Sequence, residues 1–148
     1  MEPGRRLAFD YGSARIGVAM SDLSGLLASP QENIDATSPL LSQLLLTLFE
    51  ENEPTYIVVG KPLHLSGADS AKADSVRTFV SLLKSITTIP IYLLDERLTT
   101  VSASRSLREA GINSKAGKSK IDGAAAVGIL ESALHQERLQ GAPSQELA

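Results

Sequence analysis

The fold is decided by residues 7–20, which read LAFDYGSARIGVAM. Two short apolar runs, Leu7–Phe9 and Ile16–Met20, are separated by a polar segment that contains Gly12. Apolar runs joined by a glycine-bearing loop are typical of a β-hairpin. We therefore predict two antiparallel strands here, and residues 26–34 favour a third strand in which Pro30 marks a sheet edge or a break.

Helical and strand patterns alternate after this hairpin. Ser38 and Pro39 have the residue types of a helix N-cap and a first helical position. The later predicted elements are a helix with its apolar face over 40–48, a strand over 56–60, a helix that follows the loop 61–67 and carries Val76, Phe79, Val80, Leu83 and Ile86, a strand over 91–94 and helices over about 100–110 and 120–138. This order predicts an α/β fold whose mixed five-stranded sheet has three antiparallel strands first, then parallel strands, flanked by helices.

Composition limits the class of protein. The chain has 148 residues, 43% of them hydrophobic and 21% charged, which excludes wholesale disorder and is enough for a core without disulfides. The absence of cysteine excludes thiol nucleophiles and zinc–thiolate sites. No signal peptide or membrane-length apolar run is present, so we expect a cytoplasmic protein without membrane contact. We assign one domain to residues 1–138 and expect a flexible tail over 139–148.

Acidic residues follow the predicted strands at the points where functional groups gather. Asp10 follows the first strand, Asp95 and Glu96 follow the last, and Asp122 lies near the start of the final helix. The carboxyl ends of parallel strands share one sheet edge, so these carboxylates are expected to converge. Mg²⁺ prefers oxygen ligands such as carboxylates. Two such ions can activate a water molecule that attacks the phosphorus of a phosphodiester. The sequence therefore predicts a metal-dependent phosphodiesterase site.

Each of these acids also has a purely structural interpretation. Asp10 precedes Tyr-Gly, as in the turn of a hairpin. Glu96 can form a local ion pair with Arg97. Ser119 and Asp122 match a capping box, in which Asp122 serves only the start of the final helix. Both interpretations stay open for each residue.

The net charge of −3 hides a basic segment. Residues 97–120 contain six basic side chains and one acid, Glu109, so the rest of the chain is strongly acidic. The basic segment runs between Glu96 and Asp122, where Lys118 and Lys120 are placed to neutralise phosphates. A positive field beside an acidic metal site is suited to a polyanion, which predicts a nucleic-acid partner.

Four sequence blocks resemble the YqgF (RuvX) family of Holliday-junction-resolvase-like proteins. They are FDYGSARIGVAMSD (9–22), VVGKPLHLSG (58–67), LLDERLTT (93–100) and SKIDGAAAVGIL (119–130). The resemblance implies a ribonuclease H-like fold and a nuclease that uses two Mg²⁺ or Mn²⁺ ions. It implies catalytic metal ligands at Asp10, Glu96 (with neighbouring Asp95 as the alternative) and Asp122, and nucleic-acid contacts at Arg15, Arg97 and Thr99. Ala14 departs from the family, where a basic residue is common, and puts one phosphate contact in doubt.

The resemblance also implies the substrate. Members are implicated in trimming the 5′ end of pre-16S ribosomal RNA during ribosome biogenesis, and some are reported to cut branched DNA. A nuclease acting on structured RNA is therefore the leading interpretation, with a Holliday-junction resolvase as the alternative. A non-catalytic RNA- or ribosome-binding module of the same fold is a further alternative. A monomer and a homodimer are both compatible with the sequence. A sugar-kinase-like or actin-like ATPase is excluded, because such proteins need a second domain that 148 residues do not provide.

Overall fold

The computed structural model describes residues 2–62, 67–95, 114–144 and 146–148, without the side chains of residues 67–70 and 114–122. The described elements are β1 (Leu7–Tyr11), β2 (Arg15–Ser21), β3 (Ala28–Asp35), α1 (Leu41–Asn52), β4 (Ile57–Lys61), α2 (Gly67–Ile86), β5 (Ile91–Asp95), α3 (Ser114–Gln140) and β6 (Glu146–Leu147). The helix predicted over about 100–110 lies outside the described residues.

The hairpin β1–β2 lies in the middle of one sheet. Among the described residues the strand order is β3-β2-β1-β4-β5-β6. β2 pairs antiparallel with both β1 and β3, whereas β4 pairs parallel with both β1 and β5. The predicted α/β class is therefore confirmed, with an antiparallel start, a parallel continuation and flanking helices.

Within the described ranges the sheet has six strands where five were predicted, because the C-terminal segment adds β6 to β5. The Ala148 N–H donates to the Ile91 carbonyl at 2.8 Å, and the Ser144 hydroxyl donates to the Leu93 carbonyl at 2.6 Å. Lys61 forms an ion pair with Glu146 at 2.9 Å. A flexible tail was predicted from residue 139. The structure instead continues α3 to Gln140 and pairs Glu146–Leu147 with β5. The boundary of the domain itself stays a prediction.

Side chains alternate between two faces of the sheet, and each face has its own core. Leu7 and Phe9 of β1 pack in the core beneath α1 and α2, whereas Ala8 packs in the core beneath α3. The α3 core contains small residues from both layers, including Ala19 of β2 and Ala126 of α3. Small side chains allow a helix backbone to approach a sheet closely. This alternation fixes which face each strand-end residue occupies.

Two helix starts differ from the predicted ones. α1 begins at Leu41, and its N-cap Leu40 forms no side-chain cap. The Ser38 hydroxyl accepts the Leu40 N–H at 3.1 Å, so Ser38 lies before the N-cap position predicted for it. α3 begins at Ser114, six residues before the predicted start at Lys120. No helix of the described chain is both long enough and apolar enough to cross a membrane.

Candidate functional site

Asp10 lies within β1 and not in the hairpin turn. It pairs in register with Gly17 of β2, and the turn follows it at Gly12–Ala14. The Gly12 N–H donates to the Arg15 carbonyl at 3.0 Å, and a Cβ on Gly12 would lie 2.6 Å from that oxygen. Glycine is therefore required at the turn. The interpretation of Asp10 as a turn residue is wrong.

Asp10 occupies the α3 face of the sheet between two glycines. It is two residues beyond Ala8, which packs in the α3 core, so strand alternation gives it the same face. Gly17 is its register partner on β2. On the other side, Phe9 of β1 pairs with Val59 of β4, and Gly60 is the residue that follows Val59. The residue directly opposite the half-buried Asp10 on β2 therefore has no side chain, and neither does Gly60. We call Asp10 with Gly17 and Gly60 the Asp10 cradle.

Arg15 shares this face. Ile16 and Val18 of β2 pack in the core beneath α1 and α2, so Arg15 alternates with them onto the side of Gly17. It opens β2 at the edge of the sheet where β1 ends, opposite Asp35 of β3. The structure thus places the predicted nucleic-acid contact Arg15 on the same face and at the same edge as Asp10.

Asp95 lies on the other face. Leu94 of β5 packs in the α3 core, and Leu93 packs against the core beneath α1 and α2, so Asp95 takes the side of Leu93. Its parallel partner on β4 is Lys61. Of the two neighbouring acids, Asp95 therefore does not share a sheet face with Asp10. Glu96 lies outside the described residues.

Residue 122 lies inside α3. Since the helix begins at Ser114, Ser119 is not an N-cap and the capping-box interpretation of Asp122 is wrong. Position 122 falls on the same helix face as Ala126, Ile129 and Ala133, which are at most 1% exposed and pack on the sheet. The backbone therefore places residue 122 on the face of α3 that packs on the sheet, and residue 118 lies one turn earlier on that face.

A close approach of α3 to the sheet occurs next to residue 122. A Cβ on Gly123 would lie 3.2 Å from the Cβ of Pro30 on β3. Gly123 is buried, and such a spacing is tighter than ordinary van der Waals contact. The predicted role of the small residues in bringing the final helix close to the sheet is consistent with this contact.

The far end of α3 is anchored by a buried polar cluster that the sequence did not predict. Glu137 accepts hydrogen bonds from Arg6 Nε at 3.2 Å, Arg6 Nη2 at 2.9 Å and the Tyr56 hydroxyl at 2.9 Å. Arg6 is fully buried, and its guanidinium lies 5.8 Å from the centre of the Tyr56 ring. Burial raises the pKa of Tyr56 well above its usual value, and the bond to Glu137 raises it further. Tyr56 is therefore a permanent donor, and the cluster fixes α3 against the strands.

The remaining predicted site residues are only partly located. Glu96, Arg97 and Thr99 lie outside the described residues, and for Lys118, Lys120 and Asp122 only the backbone, within α3, is described. Among the side chains that the structure does describe, no three His, Cys, Asp or Glu residues gather as a metal site. The described part of the site is therefore the Asp10 cradle, Arg15 and the position of α3 above them.

Comparison with known proteins connects this geometry to a family. The family model RuvX, described as a Holliday junction resolvase, matches residues 4–136. A Streptomyces coelicolor protein named “Putative pre-16S rRNA nuclease” is 48% identical over 148 residues, covering 99% of this chain and 89% of that protein. A Mycolicibacterium smegmatis protein of the same name is 44% identical, covering 97% and 87%.

The fold has a structural counterpart. Thermus thermophilus RuvC, solved in complex with a Holliday junction substrate, superposes with a TM-score of 0.61 at 15% sequence identity. The match covers 98% of this chain and 99% of that one. At this identity the likeness is one of fold, and it gives the ribonuclease H-like class predicted from the sequence.

Proposed function

The chain belongs to the RuvX family, and from this membership we propose that it is a metal-dependent nuclease that processes the 5′ end of pre-16S rRNA during ribosome biogenesis. Relatives named as pre-16S rRNA nucleases match nearly its whole length, which supports a hydrolase of phosphodiester bonds. The observation that carries the proposal is the position of Asp10 between Gly17 and Gly60, beneath the helix that bears Asp122.

The proposed catalytic set is Asp10, Glu96 and Asp122. Asp10 contributes a carboxylate on the α3 face, and position 122 is on the face of α3 that packs on the sheet. We choose Glu96 over Asp95 because strand alternation gives Asp95 the opposite face from Asp10. A set of three carboxylates is the oxygen-rich environment that Mg²⁺ and Mn²⁺ prefer.

The three acids would act together as metal ligands. Bound in pairs, such ions activate water and stabilise the leaving oxygen of a phosphodiester. The two glycines of the cradle add no side chain of their own beside Asp10, and a metal ion held by the acids would offset the repulsion between the carboxylates and a phosphate. The small residues of α3 let residue 122 come near the sheet, and Gly123 already does so at Pro30. The chain thereby supplies position and ligands for the reaction.

The nucleic acid would be held by basic and hydroxyl groups around the acids. Arg15 is on the same face and edge as Asp10, and we propose Arg97, Thr99, Lys118 and Lys120 as further phosphate contacts. Phosphate contacts fix the register of the backbone but do not read its sequence. We therefore expect a strong dependence of binding on salt concentration.

A second candidate function is resolution of branched DNA. The matching family model is described as a Holliday junction resolvase, and the RuvC that shares the fold was solved with such a junction. That activity would favour a symmetric homodimer on a two-fold substrate, whereas RNA trimming is compatible with a monomer. A non-catalytic RNA- or ribosome-binding module would keep the fold without needing the acids. We propose the cytoplasm as the site of action.

One experiment separates the three candidates. Purified protein is incubated with a pre-16S rRNA fragment and, in parallel, with a four-way DNA junction, with Mg²⁺, with Mn²⁺ and with EDTA. We expect metal-dependent cleavage of the RNA at mapped positions near the mature 5′ end. Cleavage of the junction alone would favour the resolvase. Binding without cleavage of either substrate would contradict the nuclease assignment.

A further inference from the structure

A cavity of about 370 Å³ opens between the carboxyl-terminal ends of α1 and α2. Most of its wall is apolar, formed by Leu46, Phe49, Pro54, Ile86 and Ile89. Pro54 precedes β4, so the cavity lies at the edge of the sheet where β4 begins. The Asp10 cradle lies near the opposite end of the strands. The two ends are about 15 Å apart, because β4 has five residues at ~3.3 Å per residue.

Carboxylates line the same cavity. Glu50 and Glu53 are lining residues, and Glu51 is next to them in the last turn of α1. All three are exposed, and within the described part of the chain none of them forms an ion pair. The mouth of the cavity is therefore acidic while its wall is apolar.

The position of these charges is unfavourable in the free protein. The carboxyl-terminal end of a helix carries a partial negative charge, so acids there are repelled and cations attracted. The last turn of α1 contains no basic residue. Glu53 also takes the left-handed conformation, with φ of 44°, at the C-cap where glycine is the relaxed choice. A cationic ligand would relieve the repulsion, and the apolar wall would bury an uncharged group beside it.

We propose that this cavity binds a protein segment that carries an apolar side chain flanked by lysine or arginine. The apolar side chain lies in the cavity against Phe49 and Ile89, and the flanking cations pair with Glu50 and Glu53. A nucleic-acid backbone is repelled by the same carboxylates, so the occupant is a protein partner and not the substrate. Because the cavity and the Asp10 cradle share no residue, both can be occupied at once, and the inference does not depend on the proposed catalytic activity.

The probe is a fluorescein-labelled peptide, Lys-Arg-Phe-Leu-Lys-Arg, titrated with the full chain and followed by fluorescence anisotropy. We expect saturable binding that is lost when Phe-Leu in the peptide is replaced by Ser-Ser. The double variant Glu50→Gln/Glu53→Gln should weaken binding about fivefold, as expected for the loss of two exposed charge pairs. The matched control Glu32→Gln/Glu131→Gln removes the same charge from exposed positions on β3 and α3 and should bind within about twofold of the parent chain.

Amide chemical shifts give the location of binding. On the ¹⁵N-labelled chain, the peptide should shift Leu46, Phe49 and Thr87, and leave Asp10 unmoved. The inference is overturned if the shifts fall at the Asp10 edge, if both double variants weaken binding equally, or if no saturation occurs. Shifts of the same residues by an RNA oligonucleotide added without the peptide would also overturn it, because the site would then recognise nucleic acid.

Discussion

Asp10 lies directly opposite Gly17 in the β1–β2 hairpin, on the sheet face that α3 covers. A carboxylate whose cross-strand partner has no side chain retains open space at its flank. On the β4 side, Gly60 directly follows Val59, the register partner of Phe9. The pairing explains how an acid can be half-buried in a sheet with no side chain directly opposite it on β2. It also shows which substitutions would close the site without touching the acid.

Gly17→Val is expected to close the cradle. The valine side chain would stand beside Asp10, and because Gly17 is buried it should cost about 1–3 kcal/mol by overpacking. β-branched residues are well suited to a strand, so the fold should persist. Misplacement of reacting groups by ~1 Å can cost about 100-fold in rate, and we expect a loss of that order in RNA cleavage. The measurement is the steady-state cleavage rate of each variant, with a thermal melt to show that the variant is folded. Full activity in a folded Gly17→Val variant would refute the role of the open flank.

The buried ion pair between Arg6 and Glu137 is expected to dominate the attachment of α3. Their side chains are 1% and 10% exposed, so Arg6→Met leaves a buried carboxylate without its main partner. Such a loss costs about 3–5 kcal/mol in the free energy of unfolding. Lys61→Met is the matched control, because the Lys61–Glu146 side chains are 37% and 46% exposed and should contribute less than about 1 kcal/mol. Urea denaturation measures both, and equal losses would contradict this account.

Gly123 is expected to tolerate a methyl group but nothing larger. Gly123→Ala gains up to about 1 kcal/mol of helix propensity, which the 3.2 Å approach to Pro30 offsets. Gly123→Leu would force α3 away from β3 and cost about 1–3 kcal/mol by overpacking. It should also lower cleavage, because residue 122 would move with the helix. Chemical denaturation and cleavage rates are measured side by side, and a Leu variant as stable and active as the parent would rule out a close approach.

The loop after β2 should give a pH-dependent contribution to stability. Hydrogen bonds from Ser24, and then from the Leu26 and Leu27 N–H groups, hold the pKa of Asp22 below its usual value of 3.8. A carboxyl group with a lowered pKa in the folded state stabilises the protein above its unfolded-state pKa and loses this effect as the pH falls through the folded value. The stability difference between the parent and Asp22→Ala should therefore be constant above about pH 5 and shrink below pH 4. Thermal melts across pH 3–7 test this, and a difference that grows on acidification would contradict it.

Local patterns in the sequence predicted much of the fold. The glycine-bearing hairpin and the apolar strands gave the mixed sheet, because each element carries its own periodicity. The start of α3 was predicted six residues late, since Ser119 and Asp122 match a capping box while the preceding segment has few residues that oppose a helix. The capping pattern therefore matched residues that lie within the helix and not at its end.

Features made by distant residues could not be predicted. Arg6 and Glu137 are separated by 131 positions, and neither carries a local signal of its partner. β6 is two residues long, so it has no periodicity, and it forms only because the edge of β5 offers backbone groups. The candidate site shows both cases. Asp10 was found from its place after an apolar run, but its glycine neighbours became visible only through the pairing of three strands.

The most direct test of the catalytic assignment compares Asp10→Asn with Asp95→Asn in the Mg²⁺-dependent cleavage of pre-16S rRNA. Both variants remove one carboxylate near the same edge of the sheet, but from opposite faces. Loss of a metal ligand removes several kcal/mol of transition-state stabilisation, so Asp10→Asn should lower the rate about 10³-fold or more. Asp95→Asn should stay within about tenfold of the parent, with both melts close to it. Persisting cleavage by Asp10→Asn, or an equal loss in Asp95→Asn, would contradict a nuclease centred on Asp10.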